Sequence, residues 1–390
     1  MAKIFICASV KFPREDPGAN RIQYVAKALM HQGYEVVILS CGRTDGVPDE
    51  GGFCTYDGIP YRNISSGRGK LGKLLRAKVT AGRAVLSLLR ACHPTAEDRI
   101  FLYGSNSFFI APLARYARRR GIRAYIDVVE WHQPFQYKFG RVDPRYRSAK
   151  RTFERLAPRI GNVSAISERI AEYYRARGCN VGIFPVFVDT DPQSVSVGTE
   201  GRDEIHLIYP GNPATKDNVR TMLEAMHALS PEQRKRCVFH MTGVTAERIR
   251  GLLGEGSFLV DALGECLVFH GWMEYEELVA LYRGMDFLYM PRLDNPVSQA
   301  NFPSKLPELM AWGIAPICNR VGDYHHYLTD GRDAIVFARD DAAECAAALE
   351  RALAQTSEER AEMKRNARKC AVDRFDYRVW EKKLIEFMEL

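Results

Sequence analysis

The chain of 390 residues is 46% apolar and 26% charged, an ordinary globular composition that excludes a disordered or fibrous protein. No run of about 18 apolar residues is present to span a bilayer, and ten scattered cysteines without a Cys-x-x-Cys pair argue against zinc and a disulfide framework, reading instead as reduced thiols. The net charge of +7 is unevenly spread: residues 1–190 carry 31 Lys and Arg against 16 Asp and Glu, whereas residues 191–390 carry 24 against 32, so the first half wants an anionic partner.

The opening MAKIFICASV runs straight into a strand pattern without a signal-peptide core, which leads us to expect a cytoplasmic protein. At this length two domains of about 200 residues each are expected. Short apolar runs alternate with amphipathic stretches throughout, the pattern of βαβ units and parallel sheets. Strands are predicted at 4–7, 35–39, 100–103, 124–127, 163–166 and 182–185, with a helix over 21–31 that closes at Gly33. The loop 9–20 brings Gly18 and Asn20 directly before that helix, where a glycine lets backbone N–H groups face an anion. It is not a Gly-x-Gly-x-x-Gly loop, which disfavours a nicotinamide or flavin enzyme.

Residues 68–90 hold seven basic side chains and no acid. A helical wheel gathers Leu71, Leu74, Leu75, Val79, Val85, Leu86 and Leu89 on one face, flanked by Lys73, Arg76, Arg83 and Arg90. That is the form of a helix lying on an anionic membrane surface, and equally of a packed helix with a solvated basic face. Further positive charge lies at 115–123. No aromatic-interleaved basic surface accompanies it, so nucleic acid is not expected as a partner.

The polar stretch 189–204 reads as a linker between a first domain, 1–188, and a second, 205–372. Strands resume at 205–209, 238–241, 267–270, 287–289 and 315–318, with helices at 218–229, 276–283 and 305–311. The end of the chain, 358–390, reads as two charged amphipathic helices anchored by Phe375, Tyr377, Trp380 and Phe387, the last of them, about 373–390, joining the first domain.

Three stretches of the second half suit a nucleotide. Gly211 and Asn212 form a turn after the first strand with Lys216 one turn on, where a bound phosphate offsets the cost of an ammonium beside a helix start. Gly271 and Trp272 follow a later strand, a placement suited to a flat base. In YMPRLDNPVSQANFPSKLPELMAWGIAP, Phe302-Pro303-Ser304-Lys305 opens a helix with Glu308 just inside. Ser304 suits the N-cap, the free N–H groups of the first turn suit a diphosphate, and Glu308 suits a vicinal diol such as a ribose.

The stretch resembles the signature region of retaining GT-B glycosyltransferases, family 4 in particular, in which Glu-x7-Glu is followed by Ala-x-Gly-x-Pro. Glu308, Ala311, Gly313 and Pro316 fit it, and Gly271, Glu277, Leu278, Leu281 and Tyr282 fit the preceding segment. Gly18 and the stretch from Gly211 to Lys216 fall where the family places its glycine loop and phosphate-binding lysine. Two departures stand out. Ala300 replaces the first Glu of the motif, and Asn212 stands where many relatives carry an Arg, so Lys305 is expected to supply the second positive charge beside Lys216. A subgroup with Pro-x-Lys-x-x-Glu looks similar. In that subgroup Asp127-Val128-Val129-Glu130-Trp131 has a counterpart, which implies Glu130 as acceptor-side base or as the group that orients the nucleophile, and His132 as a partner of the donor sugar or leaving phosphate.

The resemblance implies an α/β protein of GT-B fold, two Rossmann-like domains facing across a cleft. It implies a metal-independent, retaining transfer of a sugar from a UDP- or GDP-type donor, with no separate cofactor. The acceptor is expected to be a glycan, polyprenyl-linked or presented at a membrane, with the protein peripheral on the inner face. A catalytically silent nucleotide-sugar-binding or scaffold subunit, and a nucleotide-sugar epimerase of the same fold, are the alternatives.

Overall fold

The structure is a computed structural model and describes residues 2–13, 17–41, 47–64, 80–190, 201–213 and 216–390. It divides into two compact units, one of Met1–Phe187 with Tyr377–Leu390 and the other of Val188–Asp376.

The first unit holds β1 (Lys3–Ala8), β2 (Glu35–Ser40), β3 (Cys54–Tyr56), β4 (Ile59–Asn63), β5 (Arg99–Tyr103), β6 (Arg123–Val128), β7 (Asn162–Ala165) and β8 (Asn180–Ile183). They form one sheet ordered β3-β4-β2-β1-β5-β6-β7-β8. Ladders from β4 to β8 are parallel, and only β3 runs antiparallel to β4. The central strand β1 is covered on both faces, with Ile4, Ile6, Cys7 and Ala8 fully buried, which is why its sequence reads as a continuous apolar run. The β3–β4 hairpin, absent from the sequence-based expectation, turns on Asp57 and Gly58, both at positive φ (48° and 76°), a two-residue turn whose twist suits a hairpin.

Helix α1 (Pro17–His31) follows β1 and ends as expected. Gly33 takes φ 86°, and the N–H of Tyr34 reaches back to the carbonyl of Leu29 at 3.2 Å. Helix α2 (Ala81–Ala91) packs on α3 (Ser107–Arg120) so closely that a Cβ on Gly82 would lie 2.4 Å from the carbonyl oxygen of Phe109. That contact corrects part of the membrane reading. Val85, Leu86 and Leu89 of the proposed membrane-facing stripe are buried in the unit, because a helix following a sheet strand spends its apolar face on the core. Residues 68–79 of that stretch lie outside the described residues, as does 191–200 of the linker.

Helix α4 (Pro144–Arg151) runs directly into a π-turn, Thr152–Leu156. Across the core, Arg21 of α1 meets Asp127 at the end of β6 in a two-pronged ion pair, with Nη2 2.9 Å from Oδ1, and also donates to the carbonyls of Pro185 and Phe184 at 2.7 and 3.1 Å.

The second unit carries β9 (Ile205–Tyr209), β10 (Cys237–Thr242), β11 (Leu267–Gly271), β12 (Phe287–Met290), β13 (Ala315–Asn319) and β14 (Ile335–Phe337) in the order β11-β10-β9-β12-β13-β14, all parallel. In both sheets the chain order reverses beside the first strand, at β1/β5 and at β9/β12. Such a switch opens a crevice at the carboxyl ends of the strands. On β9, β10 and β11 three imidazoles form a hydrogen-bonded stack: His206 Nδ1 to His240 Nε2 and His240 Nδ1 to His270 Nε2, each 2.9 Å.

Helix α5 (Lys305–Ala311) follows β12 and packs on α6 (Ser357–Arg374). The chain then returns to the first unit as α7 (Glu381–Met388). There Glu381 accepts from Gln32 at 2.6 Å and pairs with His31 at 2.8 Å, while the Tyr125 hydroxyl donates to the carbonyl of Met388 at 2.7 Å. All ten cysteines are free thiols.

Candidate active site

In the second unit three glycine turns close successive neighbouring strands on one side of the switch: Gly211 after β9 (φ 88°), Gly243 after β10 (φ 68°) and Gly271 ending β11 (φ 64°). Gly211 donates its N–H to Thr242 Oγ1 at 3.2 Å, and a Cβ on Gly243 would stand 3.1 Å from the Gly211 Cα. The turns therefore touch backbone to backbone, which side chains would prevent. A Cβ on Gly211 would lie 3.8 Å from Cε of Lys305, so the lysine stem runs over this turn. The Lys305 ammonium donates to the Tyr209 hydroxyl, with Nζ 3.7 Å from the ring centroid.

A second cation, not singled out from the sequence, stands beside it. Arg292, two residues past β12, is 2% exposed; Nη2 donates to Asn301 at 3.3 Å, while Nε and Nη1 have no hydrogen-bond partner among the described residues. Its backbone N–H is fixed by Asn319 Oδ1 at 2.9 Å, at the end of β13. A buried guanidinium with two free donors is costly, and such groups are placed where an anion answers them. The one sequence signal was positional: an arginine two residues after the apolar strand FLYM lies near the carboxyl end of a strand beside the switch, while nothing in the sequence shows that it is buried.

Electrostatics tie these groups together. Burial pushes the Lys305 ammonium down to about 8, Arg292 and Lys216 push the same way, and Asp217 and Glu308 oppose them. Burial likewise raises the carboxyl of Glu308, with Lys305 pulling against it. The Tyr209 phenol is driven up by burial and by Asp217, which bridges to Arg292 through the backbone.

The structure thus brings Gly211, Lys216, Lys305 and Glu308 into one neighbourhood with Tyr209, Asp217 and Arg292. Asn212 is exposed on the same turn, and Pro303 is buried. Trp272 follows β11, two strands from β9, and is 76% exposed. One expectation needs correcting: Ser304 occupies the N-cap position but already has helical φ and ψ (−63°, −29°), and its exposed side chain makes no capping bond. A capping hydroxyl needs extended backbone, which this residue does not adopt.

In the first unit a cavity of about 220 Å3 opens at the β1/β5 switch. Its walls include Ser9, Gly104, Asp127, Glu130, His132 and Thr152. Glu130 accepts from Gln136 Nε2 at 3.0 Å, and His132 Nδ1 meets the Tyr137 hydroxyl at 2.8 Å, leaving the two functional groups 3.9 Å apart. Thr152 opens the π-turn, and its buried hydroxyl has no partner among the described residues. Turns of this kind recur at functional sites because they push one side chain out of helical register. Gly18 and Asn20 are a second correction. Both lie inside α1 rather than in a glycine loop, and Gly18 is required because a Cβ would meet the Tyr103 hydroxyl at 2.7 Å.

Among the described residues no group of three or more His, Cys, Asp or Glu side chains is arranged to hold a metal ion, and no helix is long and apolar enough to cross a membrane.

Comparison with known proteins covers most of the chain. Residues 18–182 match the model of the glycosyl transferase 4-like domain, and residues 204–355 that of glycosyl transferases group 1. Among solved structures, the sucrose-phosphate synthase of Thermosynechococcus elongatus superposes with a TM-score of 0.71 at 15% identity, covering 100% of this chain and 98% of that one. Anabaena HepE in complex with UDP and glucose gives a TM-score of 0.67 at 13% identity over 100% of both chains. WaaG, a glycosyltransferase involved in lipopolysaccharide biosynthesis, gives 0.65 at 14% over 98% and 99%. No curated protein matches the sequence.

Proposed function

Because the chain belongs to the glycosyltransferases of the GT-B fold, we propose that it moves a sugar from a nucleoside diphosphate donor, held by the second unit, to a glycan acceptor held by the first. The observation that carries this reading is the pairing of two cations, Lys305, whose stem runs over the glycine turn at Gly211, and Arg292, close enough to disfavour the charge on Lys305. A buried guanidinium and a half-buried ammonium side by side form a receptor for a diphosphate. That HepE was solved with UDP and glucose supports a donor of this class.

In the transfer the bond from the sugar C1 to the diphosphate oxygen breaks, and its electron pair stays with the diphosphate. Lys305 and Arg292, with Lys216, stabilise that growing charge, a role that requires no divalent metal. The acceptor oxygen then bonds to C1, and its proton passes to Glu130 or to the departing phosphate. We assign the reaction as retaining, on the Glu308, Ala311, Gly313 and Pro316 signature. Exposed Trp272 and the Glu308 carboxyl are assigned to the base and to the ribose diol. The acceptor is proposed to be membrane-presented, which the basic first unit and the exposed Phe135, Phe139 and Val142 support.

A second reading, a silent nucleotide-sugar-binding subunit, is favoured by Ala300. It stands fully buried where the motif places its first carboxylate. Thermal unfolding with UDP, GDP, ADP and their sugars tests the first statement: one nucleoside diphosphate raises Tm, and no shift with any of them refutes it. Slow hydrolysis of the matching nucleotide sugar separates an active transferase from the silent subunit.

A further inference from the structure

Beside the cavity that holds Glu130 and His132 lies a second, larger pocket of about 440 Å3, lined by Gln133, Pro134, Arg141, Tyr146, Arg147 and Lys150. Three cations and no carboxylate face it. The two hollows share a wall. His132 borders the first and its neighbour Gln133 the second, while one continuous helical segment gives Arg147 and Lys150 to the second and Ala149 and Thr152 to the first. Residues three apart share a helix face, so Arg147 and Lys150 act together.

The charge on this pocket is not cancelled locally. Asp143, the one carboxylate of residues 133–151, is buried and taken up by Arg145 at 2.9 Å and by the first turn of α4, and Arg145 holds its pKa down at about 2. Arg141 and Arg147 make no ion pair among the described residues, and Lys150 has only Glu154, 3.7 Å away and half exposed. Two guanidinium forks outside any ion pair among the described residues, with an ammonium held only by an exposed i,i+4 partner, suit the oxygens of a phosphate.

We propose that the acceptor carries a phosphate group and that Arg141, Arg147 and Lys150 bind it, while a sugar-sized part of the same molecule enters the neighbouring cavity against Glu130, His132 and Thr152. This rests on the reading of the first unit as the acceptor side. It narrows the acceptor to a phosphorylated one, either a soluble sugar phosphate or a sugar on a phospholipid-like carrier.

Lysine acetylation of the full chain, read by mass spectrometry, tests it without any donor. Glucose 6-phosphate or phosphatidylglycerol vesicles should slow modification of Lys150 about fivefold or more, as expected for a charge-assisted contact, whereas glucose and phosphatidylcholine vesicles leave it unchanged. Protection by the first probe alone identifies a soluble acceptor, and by the vesicles alone a lipid-borne one. The Arg141→Ala/Arg147→Ala protein should lose the protection.

The proposal is overturned if neither phosphate probe protects Lys150, or if protection survives the double substitution. It is also overturned if Lys138 is protected equally by every anion, which is charge screening alone, or if single-stranded oligonucleotide protects Lys150 better than either phosphate probe. A failed donor reading shows itself separately, as no thermal shift with any nucleoside diphosphate.

Discussion

Lys305 donates its ammonium proton to the hydroxyl of Tyr209, with Nζ 3.7 Å from the ring centroid, and so lies at the end of β9 over the Gly211 turn. The phenol fixes the lysine without neutralising it. A diphosphate arriving there meets a positioned charge whose desolvation the fold has already borne, which is the condition for electrostatic preorganisation.

Lys305→Gln should weaken nucleoside diphosphate binding about ten- to a hundredfold, the worth of one charge-assisted contact. Burial has lowered this ammonium to about 8, so it is charged below that pH and neutral above it. Affinity measured by titration calorimetry should fall between pH 7 and 9 in the wild-type protein, and the Lys305→Gln protein should lack that fall.

Arg292 gives a prediction of opposite sign for stability and binding. The two nitrogens, Nε and Nη1, that have no partner among the described residues make the buried charge a burden on the unliganded fold. Arg292→Met should leave Tm unchanged or raise it by a few degrees, while abolishing the Tm shift that a nucleoside diphosphate produces. A large loss of stability without ligand would contradict this account.

The Arg21–Asp127 pair is the converse case, since every strong donor there is matched. Asp127→Asn strands a buried guanidinium and should cost the first unit about 3–5 kcal/mol in urea unfolding. Replacing both partners by apolar residues, Arg21→Met with Asp127→Leu, should recover much of that loss.

Burial, aided by His206 and His270, holds the central imidazole of the stack, His240, down at about 4; Arg202 also disfavours its charge. Asp286 and Glu204 face His206, and their pull is the weaker one. An unfolded histidine takes up its proton near pH 6.5. The stack therefore contributes fully above that pH, loses its contribution as pH falls from 6.5 to about 4, and is flat below. Wild type and His240→Gln should diverge over this window by on the order of 2 kcal/mol after solvent screening, read from urea midpoints.

Tyr137 positions His132 through the 2.8 Å bond to Nδ1. Tyr137→Phe should lower kcat about three- to tenfold, the worth of a neutral hydrogen bond, with donor affinity unchanged.

The sequence by itself determined the fold class. Apolar runs such as IFICA and IFLY can be covered only inside a parallel sheet, and the helix over 305–311 follows from local pattern. Glycine turns at Gly211 and Gly271 were legible because backbone conformation is a local property. What tertiary structure decided was where charge is buried. Position after a strand marks Arg292, but its burial appears only when the ends of β12 and β13 enclose it, and Val85, Leu86 and Leu89 look membrane-facing until α3 covers them. Gly18 likewise reads as part of an anion loop until Tyr103 closes on it. Periodicity reports which face of an element is apolar, whereas the partner of that face and the desolvation of a neighbouring charge depend on residues distant in the chain.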